Sequence, residues 1–384
     1  MTKILFAGDL CPTGRIEKIV LEGDQNRVDD IFKDILPYVK QSDYFVVNLE
    51  CPLTHGTDPI EKIGPNLKAD PKTIMLLNNL GANLVSLANN HIYDYGQTGL
   101  CETLQSCKDY GIATVGAGAI LKAAQKPQYA TIQGMRVAFV NFAEHEFCNA
   151  NANQGGANSL DIVDNTRQIQ IARSQADAVI VIIHGGHEHF YYPSPRMVKQ
   201  YRFFAEQGAM AIIGHHTHCV SGYEIHKGVP IFYSLGNFLF DSKTNFPGWY
   251  EGYMVELEIG NSKGCSFSIL PYKQCFNDIG IYLLKGDERS SFFNKLQEIS
   301  NPIKDDIRLK SIWADYVAEK RKSYLYNACS RDKRLLGLLN KLNLLKPYIG
   351  KARLIHLTNL IQNESHRDIL LESLDTILKR AKRY

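Results

Sequence analysis

Residues 208–241, GAMAIIGHHTHCVSGYEIHKGVPIFYSLGNFLFD, constrain this chain more than any other stretch. A short apolar run, Ala209–Ile213, is long enough for a buried strand, and Gly214, His215, His216, Thr217 and His218 follow it at once. Three imidazoles in four residues are hard to explain as packing, because a buried neutral histidine needs partners for both ring nitrogens. In an extended segment His216 and His218 share one face, since side chains alternate with period two, and can grip one metal site. The alternative is a loop that is merely rich in histidine. Gly222–Ile231 then reads as a strand, a turn at Lys227-Gly228 and a second strand, and Ser234–Asn237 closes the unit with a Gly-Asn turn.

A chain of 384 residues can form one large domain with an appendage, or two domains. With 45% hydrophobic and 22% charged residues it is neither disordered nor fibrous in composition. The N-terminus has only a short apolar run before Gly8-Asp9 and no small-residue cleavage site, so it is expected to be a first strand rather than a signal peptide. No apolar run approaches the roughly 20 residues of a membrane helix. The nine cysteines are odd in number, scattered and without CxxC spacing, which points to a reducing cytoplasm.

The net charge of +3 hides an asymmetry. Arg289–Tyr384 carries 20 Lys/Arg against 10 Asp/Glu, and the preceding residues carry 23 against 30. A basic helical tail can contact an anionic membrane face, a nucleic acid or the acidic body of its own protein, the last being the commonest case. Trp313, Tyr316, Tyr324 and Tyr326 lie among its basic residues. That mixture also fits single-stranded nucleic acid, but helical packing is the commoner cause and no nucleic acid is expected. Covering the core, pairing two subunits and touching a membrane remain open for these helices.

Along the chain, apolar runs predict strands at Lys3–Ala7, Tyr44–Leu49, Leu84–Leu87, Ala113–Val115 and Ala178–Ile183, with a hairpin of Ala130–Ile132 and Arg136–Phe142 turning at Gln133-Gly134. Later strands are predicted at Gly252–Ile259 and Cys265–Lys273. Helical spacing predicts Val28–Lys40, a capped helix Asp70–Asn79, then Gly96–Tyr110, Val163–Gln175 and Pro195–Gln207. From about Ser290 the pattern is helical only, with helices expected at Ser291–Ile299, Ile307–Ser323, Lys333–Leu345 and Ile369–Arg380. The expected organisation is an α/β domain over residues 1–285 and a basic helical extension over 286–384. In such layering, ligand groups gather beyond the carboxyl ends of strands.

Five strand ends carry metal-type ligands: Asp9, Glu50, Asn90 with His91, His184, and His216 with His218. Each is weak alone, since an Asp after a strand is more often a cap or turn residue. Together they are the first polar groups after hydrophobic strands, and all can face one crevice. Carboxylate and amide oxygens mixed with imidazole nitrogens suit Mn²⁺, Zn²⁺, Fe²⁺ or Co²⁺. Six ligands exceed the needs of one catalytic ion, so a two-metal site is expected, with a carboxylate such as Glu50 able to bridge the ions and a shared water able to become the nucleophile.

The ordered motifs Gly8-Asp9, Asn48-Leu49-Glu50, Ala88-Asn89-Asn90-His91, the strand-ending His184, Gly214-His215-His216-Thr217-His218 and Tyr233-Ser234-Leu235-Gly236-Asn237-Phe238 resemble the capsule-synthesis CapA (poly-γ-glutamate accessory) family, within the calcineurin-like metallophosphoesterase superfamily. The resemblance runs from about Lys3 to Asp241. It implies a four-layer α/β/β/α sandwich with one or two divalent ions at one edge, held by Asp9, Glu50, Asn90, His184, His216 and His218. It implies that His91 protonates the leaving group or holds the transition-state oxyanion. Asp94 can orient His91, or can simply cap the following helix. The superfamily usually has Asp-x-His in its first motif, where this chain has Cys11, either a thiolate ligand or a packing residue. Arg15 and Lys62 are near enough to the expected rim to meet an anionic substrate. His187 and Glu188 can bind substrate or ordered water, or lie in an exposed polar loop. The expected function is a metal-dependent hydrolase for an anionic capsule or cell-envelope polymer, cytoplasmic or peripheral to the inner membrane face, either acting on a cytoplasmic precursor or recruited by a membrane-bound capsule-synthesis partner. A non-catalytic assembly factor and a general phosphoesterase are the alternatives, and oligomerisation through the C-terminal helices is open.

Overall fold

The first apolar run extends further than its composition implies. In the computed structural model, which describes residues 1–260, 264–328, 338, 341–342 and 350–381, Thr2–Cys11 is one ten-residue strand that contains Asp9 instead of ending before it. Neighbours on both sides hold it extended: Tyr44–Leu49 pairs with it in parallel, and Asn237–Phe240 pairs in parallel with its last residues. This strand is central to the first sheet, which runs Ile281–Leu283, Cys265–Gln274, Glu251–Ile259, Thr2–Cys11, Tyr44–Leu49, Leu84–Ser86, Ala113–Val115. The second sheet runs Tyr223–His226, Val229–Phe232, Ala211–His215, Ala178–His184, Met135–Ala143, Gln128–Ile132. The fold is mixed α/β.

Alternation along the strands decides which face meets what. Ile4, Phe6, Val46 and Leu84 of the first sheet share a buried cluster with Val137, Phe139, Ile180 and Ile213 of the second. On the opposite face of the first sheet, Leu5, Phe45, Val47 and Val85 pack with Ile16, Ile31, Leu77 and Leu100 from helices. On the opposite face of the second, Val140, Val179, Val181 and Ile212 pack with Ile169, Val198 and Phe204. Both faces of the central strands are therefore apolar, which is why they read as unbroken hydrophobic runs.

The predicted hairpins form as read: Gln133 and Gly134, and likewise Lys227 and Gly228, have the positive φ that two-residue turns require. The helix expected over Val28–Lys40 is two, Gln25–Phe32 and Leu36–Gln41. Pro37 explains the break, because it has no N–H to donate back and disfavours helical geometry at Leu36 except at a helix start. The helix expected over Lys333–Leu345 lies almost wholly outside the described residues. Lys351–Gln362 is helical in addition to Glu364–Ala381.

Beyond Leu283 the described elements are helices, and they pack back onto the sheets. Phe292 and Leu296 of Gly286–Ile303 enter the cluster between the sheets, and Ile303 and Leu309 enter the outer cluster of the second sheet. Trp313 and Val317 of Asp306–Ala328 pack with Ile369. A buried ionic network pins the last helix: Arg196 donates to Glu144 and to Asp368, each at 2.6 Å, and Ser365 Oγ donates to Glu144 at 2.5 Å. Burial alone would raise the Glu144 pKa, but the Arg196 charge and the Ser365 and Arg196 hydrogen bonds outweigh it and bring it down from 4.5 to about 2. Asp368 moves the other way, raised by burial, so the favourable pH linkage rests on Glu144.

Two outcomes follow from this packing. A Cβ on Gly8 would lie 1.9 Å from the Gly236 carbonyl, where backbone cannot give way. Gly8→Ala is expected to cost about 1–3 kcal/mol or more in chemical denaturation, whereas Gly264→Ala, which meets nothing within 4 Å, should be near neutral. Equal effects would refute the close approach. Because the folded Glu144 pKa lies below the unfolded one, its contribution is present above about pH 4.5 and is lost as pH falls towards about 2. The stability gap between wild type and Glu144→Gln should therefore hold constant above about pH 5 and shrink towards about pH 2. A gap independent of pH would overturn this account.

Candidate metal centre

Strand register brings the polar groups together in two rows. In the first sheet Asn48, Asp9 and Asn237 sit side by side on three parallel strands. In the second, Ala143, His184 and His215 do the same. The Asp9 N–H donates to the Gly236 carbonyl at 3.1 Å, and Gly8 is where the two backbones approach most closely. Only glycine leaves room there, so Gly8 is needed to set Asp9 in place.

Asp9 is fully buried. Its Oδ1 accepts from Asn48 Nδ2 at 2.8 Å and lies 3.0 Å from His215 Nδ1, and its Oδ2 accepts from the His216 N–H at 3.1 Å. Burial would raise its pKa, but His215, His218 and the His216 N–H outweigh that and hold it below the ordinary carboxylate value. Glu50 follows Tyr44–Leu49, with its N–H donating to the Leu10 carbonyl at 2.8 Å. Its side chain is fully buried, and neither carboxylate oxygen has a hydrogen-bond partner. Burial, then the charges of Asp9, Cys11 and Glu188, push its pKa well above normal. His184 Nε2 and His218 Nε2 lie 3.4 and 3.6 Å from Glu50 Oε1.

His184 Nε2 is 3.0 Å from Asn90 Oδ1 and 3.1 Å from His216 Nδ1. Burial and the neighbouring imidazoles hold the His184 pKa well below normal, so the ring is neutral, the state a metal ligand needs. His216 and His218 are not in an extended segment: their φ angles are +96° and +54°. The turn after Ala211–His215 is left-handed at both, so their common orientation comes from loop geometry, not strand alternation. His218 Nδ1 meets Asn237 Oδ1 at 3.0 Å, which leaves Nε2 as its free nitrogen on the Glu50 side.

Among the described residues, Glu50, His184 and His216 offer ligand atoms within 4.8 Å of one another, and so do Asp9, Glu50 and His218. Either group could hold a metal ion, and Glu50 is common to both. An orphaned buried carboxylate beside several imidazoles and a second carboxylate is a donor set that fits a divalent cation. Cys11 is in neither group. It is fully buried in the helix-facing core of the first sheet beside Cys51, as a packing residue.

The remaining candidates occupy distinct places. His91 Nδ1 lies 2.6 Å from Asp94 Oδ2. Lys62 is not at an open rim: its side chain is 2% exposed, paired with Asp94 and 3.1 Å from His91 Nδ1, and it donates to the Asn90 carbonyl at 3.3 Å. Burial, then the Lys62 charge, lower the His91 pKa against the opposing Asp94 bond. Arg15 is exposed and makes a two-pronged ion pair with Asp241, at 2.9 and 2.6 Å. His187 is buried, with Nε2 2.9 Å from the Ser365 carbonyl and its ring 4.8 Å from that of Trp313. Burial pushes its pKa to about 3. Glu188 is exposed at the edge of the cluster. Desolvation by the surrounding side chains would raise its pKa, but His218, His216, His189 and His91 outweigh that and lower it.

Several residues beside these were not singled out from the sequence. Asn48 and Asn237 orient Asp9 and His218. Glu144 and Glu146 follow the strand Met135–Ala143, and Glu146 accepts from Asn363 Nδ2 at 3.0 Å. The rule that located Glu50 and His184, first polar group after an apolar strand, also finds Glu144. No local pattern points to Asn363, because its partner is more than two hundred residues away.

Known sequences match this chain over the region that holds the candidate ligands. The profile of the bacterial capsule synthesis protein family PGA_cap matches residues 3–242. A capsule biosynthesis protein CapA from Bacillus anthracis is 32% identical over 253 residues, covering 64% of this chain and 60% of that protein. A PGA biosynthesis protein CapA from Bacillus subtilis is 31% identical over 248 residues, covering 64% and 63%. A probable polyglutamine synthesis accessory protein from Mycobacterium tuberculosis is 27% identical over 231 residues, covering 57% and 60%. The chain thus spans about three-fifths of the length of these relatives. With a profile match over well more than half its residues, holding every candidate ligand in order, this chain belongs to the PGA_cap family of bacterial capsule synthesis proteins.

Proposed function

We propose that this chain is a CapA-type metal-dependent hydrolase that acts in synthesis or processing of an anionic capsule or cell-envelope polymer such as poly-γ-glutamate. The observation that carries the reading is Glu50: a buried carboxylate with no hydrogen-bond partner, common to two sets of ligand atoms. The stacking of helices, two sheets and helices supports assignment to the four-layer sandwich of the calcineurin-like metallophosphoesterases.

In this reading Asp9, Glu50, Asn90, His184, His216 and His218 hold one or two divalent ions. When bound, such ions supply Lewis acidity, activating water and polarising a phosphoryl or carbonyl oxygen. Asp94 accepts a hydrogen bond from His91 Nδ1–H and fixes the ring, leaving Nε2 as the nitrogen that takes up or returns a proton. Lys62 neutralises Asp94 and ties it to the Asn90 carbonyl, so the proton-handling pair and a ligand move together. The lowered His91 pKa leaves the ring largely neutral near pH 7, so with Nδ1–H held by Asp94 its Nε2 accepts a hydrogen bond or a proton, and donates only once protonated. The polymer, the membrane-bound synthesis partner and the cytoplasmic setting belong to the same proposal. Among the described residues no helix is long and apolar enough to cross a membrane.

A non-catalytic assembly role is favoured by one observation: the candidate ligands are at most 8% exposed, leaving a polymer little access to them. Metal content and turnover separate the two readings. Protein refilled with Mn²⁺ or Zn²⁺ is expected to hold two ions per chain by elemental analysis, with fewer in His216→Ala. His91→Ala should keep its ions and lose about 100-fold or more of hydrolytic turnover. Two ions without turnover on phosphoester or amide substrates would favour the assembly role. No ion in wild type would end the metal reading.

A further inference from the structure

Residues 187–190 leave one imidazole open to solvent beside the candidate ligands. His187 turns inward, its ring 4.8 Å from that of Trp313 and its Nε2 2.9 Å from the Ser365 carbonyl. Phe190 stacks on Tyr316 at 3.9 Å, and its N–H closes the turn on the His187 carbonyl at 3.1 Å. Between them His189 is exposed, and among the described residues neither of its ring nitrogens has a hydrogen-bond partner. Its ring lies 6.4 Å from that of His218, with Phe246 and Trp249 at 4.7 and 6.0 Å.

The backbone is as particular as the side chain. His189 has φ +62°, a left-handed conformation it shares with His216 and His218 and one that glycine would adopt without strain. Its N–H donates at 2.8 Å to the carbonyl of Thr217, the residue between those two ligands. The segment is thus tied to the histidine turn on one side and to Trp313, Tyr316 and Ser365 on the other. A non-glycine residue held left-handed, with an unused polar ring at the edge of a metal centre, is strain of the kind that clusters at functional sites.

Charge decides what that ring would meet. Glu188 is exposed beside it, and Lys320, 5.4 Å from the Tyr316 ring, brings positive charge to the same side. Divalent ions at two sites would outweigh the carboxylates of Asp9, Glu50 and Glu188, so the group drawn here is an anion.

We propose that His189 is a substrate-binding residue of the metal centre, whose ring N–H holds a second oxyanion of the substrate a few bonds from the group at the ions. A polymer charged on every repeat presents such a pair of anions. The inference rests on the hydrolase reading.

The test uses the full chain loaded with Mn²⁺ and measures binding of methylphosphonate and of phosphonoacetate by calorimetry, with metal content checked afterwards. Phosphonoacetate adds a carboxylate to the phosphonate that the ions take. Wild type is expected to bind it about tenfold or more tightly than methylphosphonate. His189→Gly suits the left-handed backbone and removes only the ring. It should lose most of that preference while methylphosphonate affinity and metal content hold. His189→Asn keeps a side-chain N–H and tolerates the same φ, so part of the preference should return; His189→Asp, the same shape without the donor, should not regain it, which keeps the idea testable if the glycine variant does not fold. An undiminished preference in metal-replete His189→Gly, an equal loss for both anions, a loss of ions, or no preference in wild type would overturn the role of His189 and leave the hydrolase reading standing. Failure of metal-loaded wild type to bind either anion would remove the hydrolase reading and the inference with it.

Discussion

A carboxylate buried without a partner is the feature around which the rest is arranged. Glu50 lies at the end of a central strand with both oxygens unbonded, next to the second buried carboxylate of Asp9. Taking an ionised carboxylate out of water costs several kcal/mol even after relaxation, and a like charge beside it adds to the cost. Without a cation the group is driven to protonate, which is what its raised pKa expresses. A bound cation removes that penalty, so ion affinity and fold stability are linked in a site built this way. The neutral state of His184 follows from the same burial: one low-dielectric environment raises the acid and lowers the bases.

That environment exists because two sheets end together. Parallel strands bring Asn48, Asp9 and Asn237 into one row and His184 and His215 into another. The linkage between rows is short and rigid. His215 reaches Asp9 through its ring and His216 through its N–H, while Asn237, on the strand beside Asp9, holds His218. Gly8 and Gly236 permit the backbone contact that makes this spacing possible. A side chain at Gly8 would shift Asp9 and Asn237 together, and with them contacts to all three residues of the histidine turn.

Much of this was legible because it follows local rules. Apolar runs bounded by the first polar residue pointed to Glu50, His184 and Asn90, and Lys227-Gly228 and Gln133-Gly134 gave their turns away through the glycine at the second turn position, which adopts positive φ freely. Other features depended on partners distant in sequence. Asp9 lies inside its strand because Asn237–Phe240 pairs beside it, which periodicity around residue 9 cannot reveal. His216 and His218 were paired by strand alternation, whereas the structure pairs them through two left-handed residues. Lys62 looked like a rim cation in a polar loop, yet its ammonium is buried on Asp94. Burial of a lysine is a property of what folds over it, not of its neighbours in sequence.

The C-terminal helices show the same limit on a larger scale. Their basic excess admitted a membrane, a nucleic acid or the protein's own acidic body as partner. Lys295 and Lys351 do meet Glu251 and Glu61 of the body, but at Arg196 and Asp368 the signs are the reverse, with the helix contributing the acid and the body the base. A buried network of this kind is a weak source of net stability, because desolvation offsets most of its attraction. What it supplies is register, since the two carboxylates, one guanidinium and the Ser365 hydroxyl are satisfied together in one placement of the helix. A helix held only by Trp313, Val317 and Ile369 could slide by a turn at little cost. One held also by Arg196 cannot, and the position of Asn363 beside Glu146 inherits that precision.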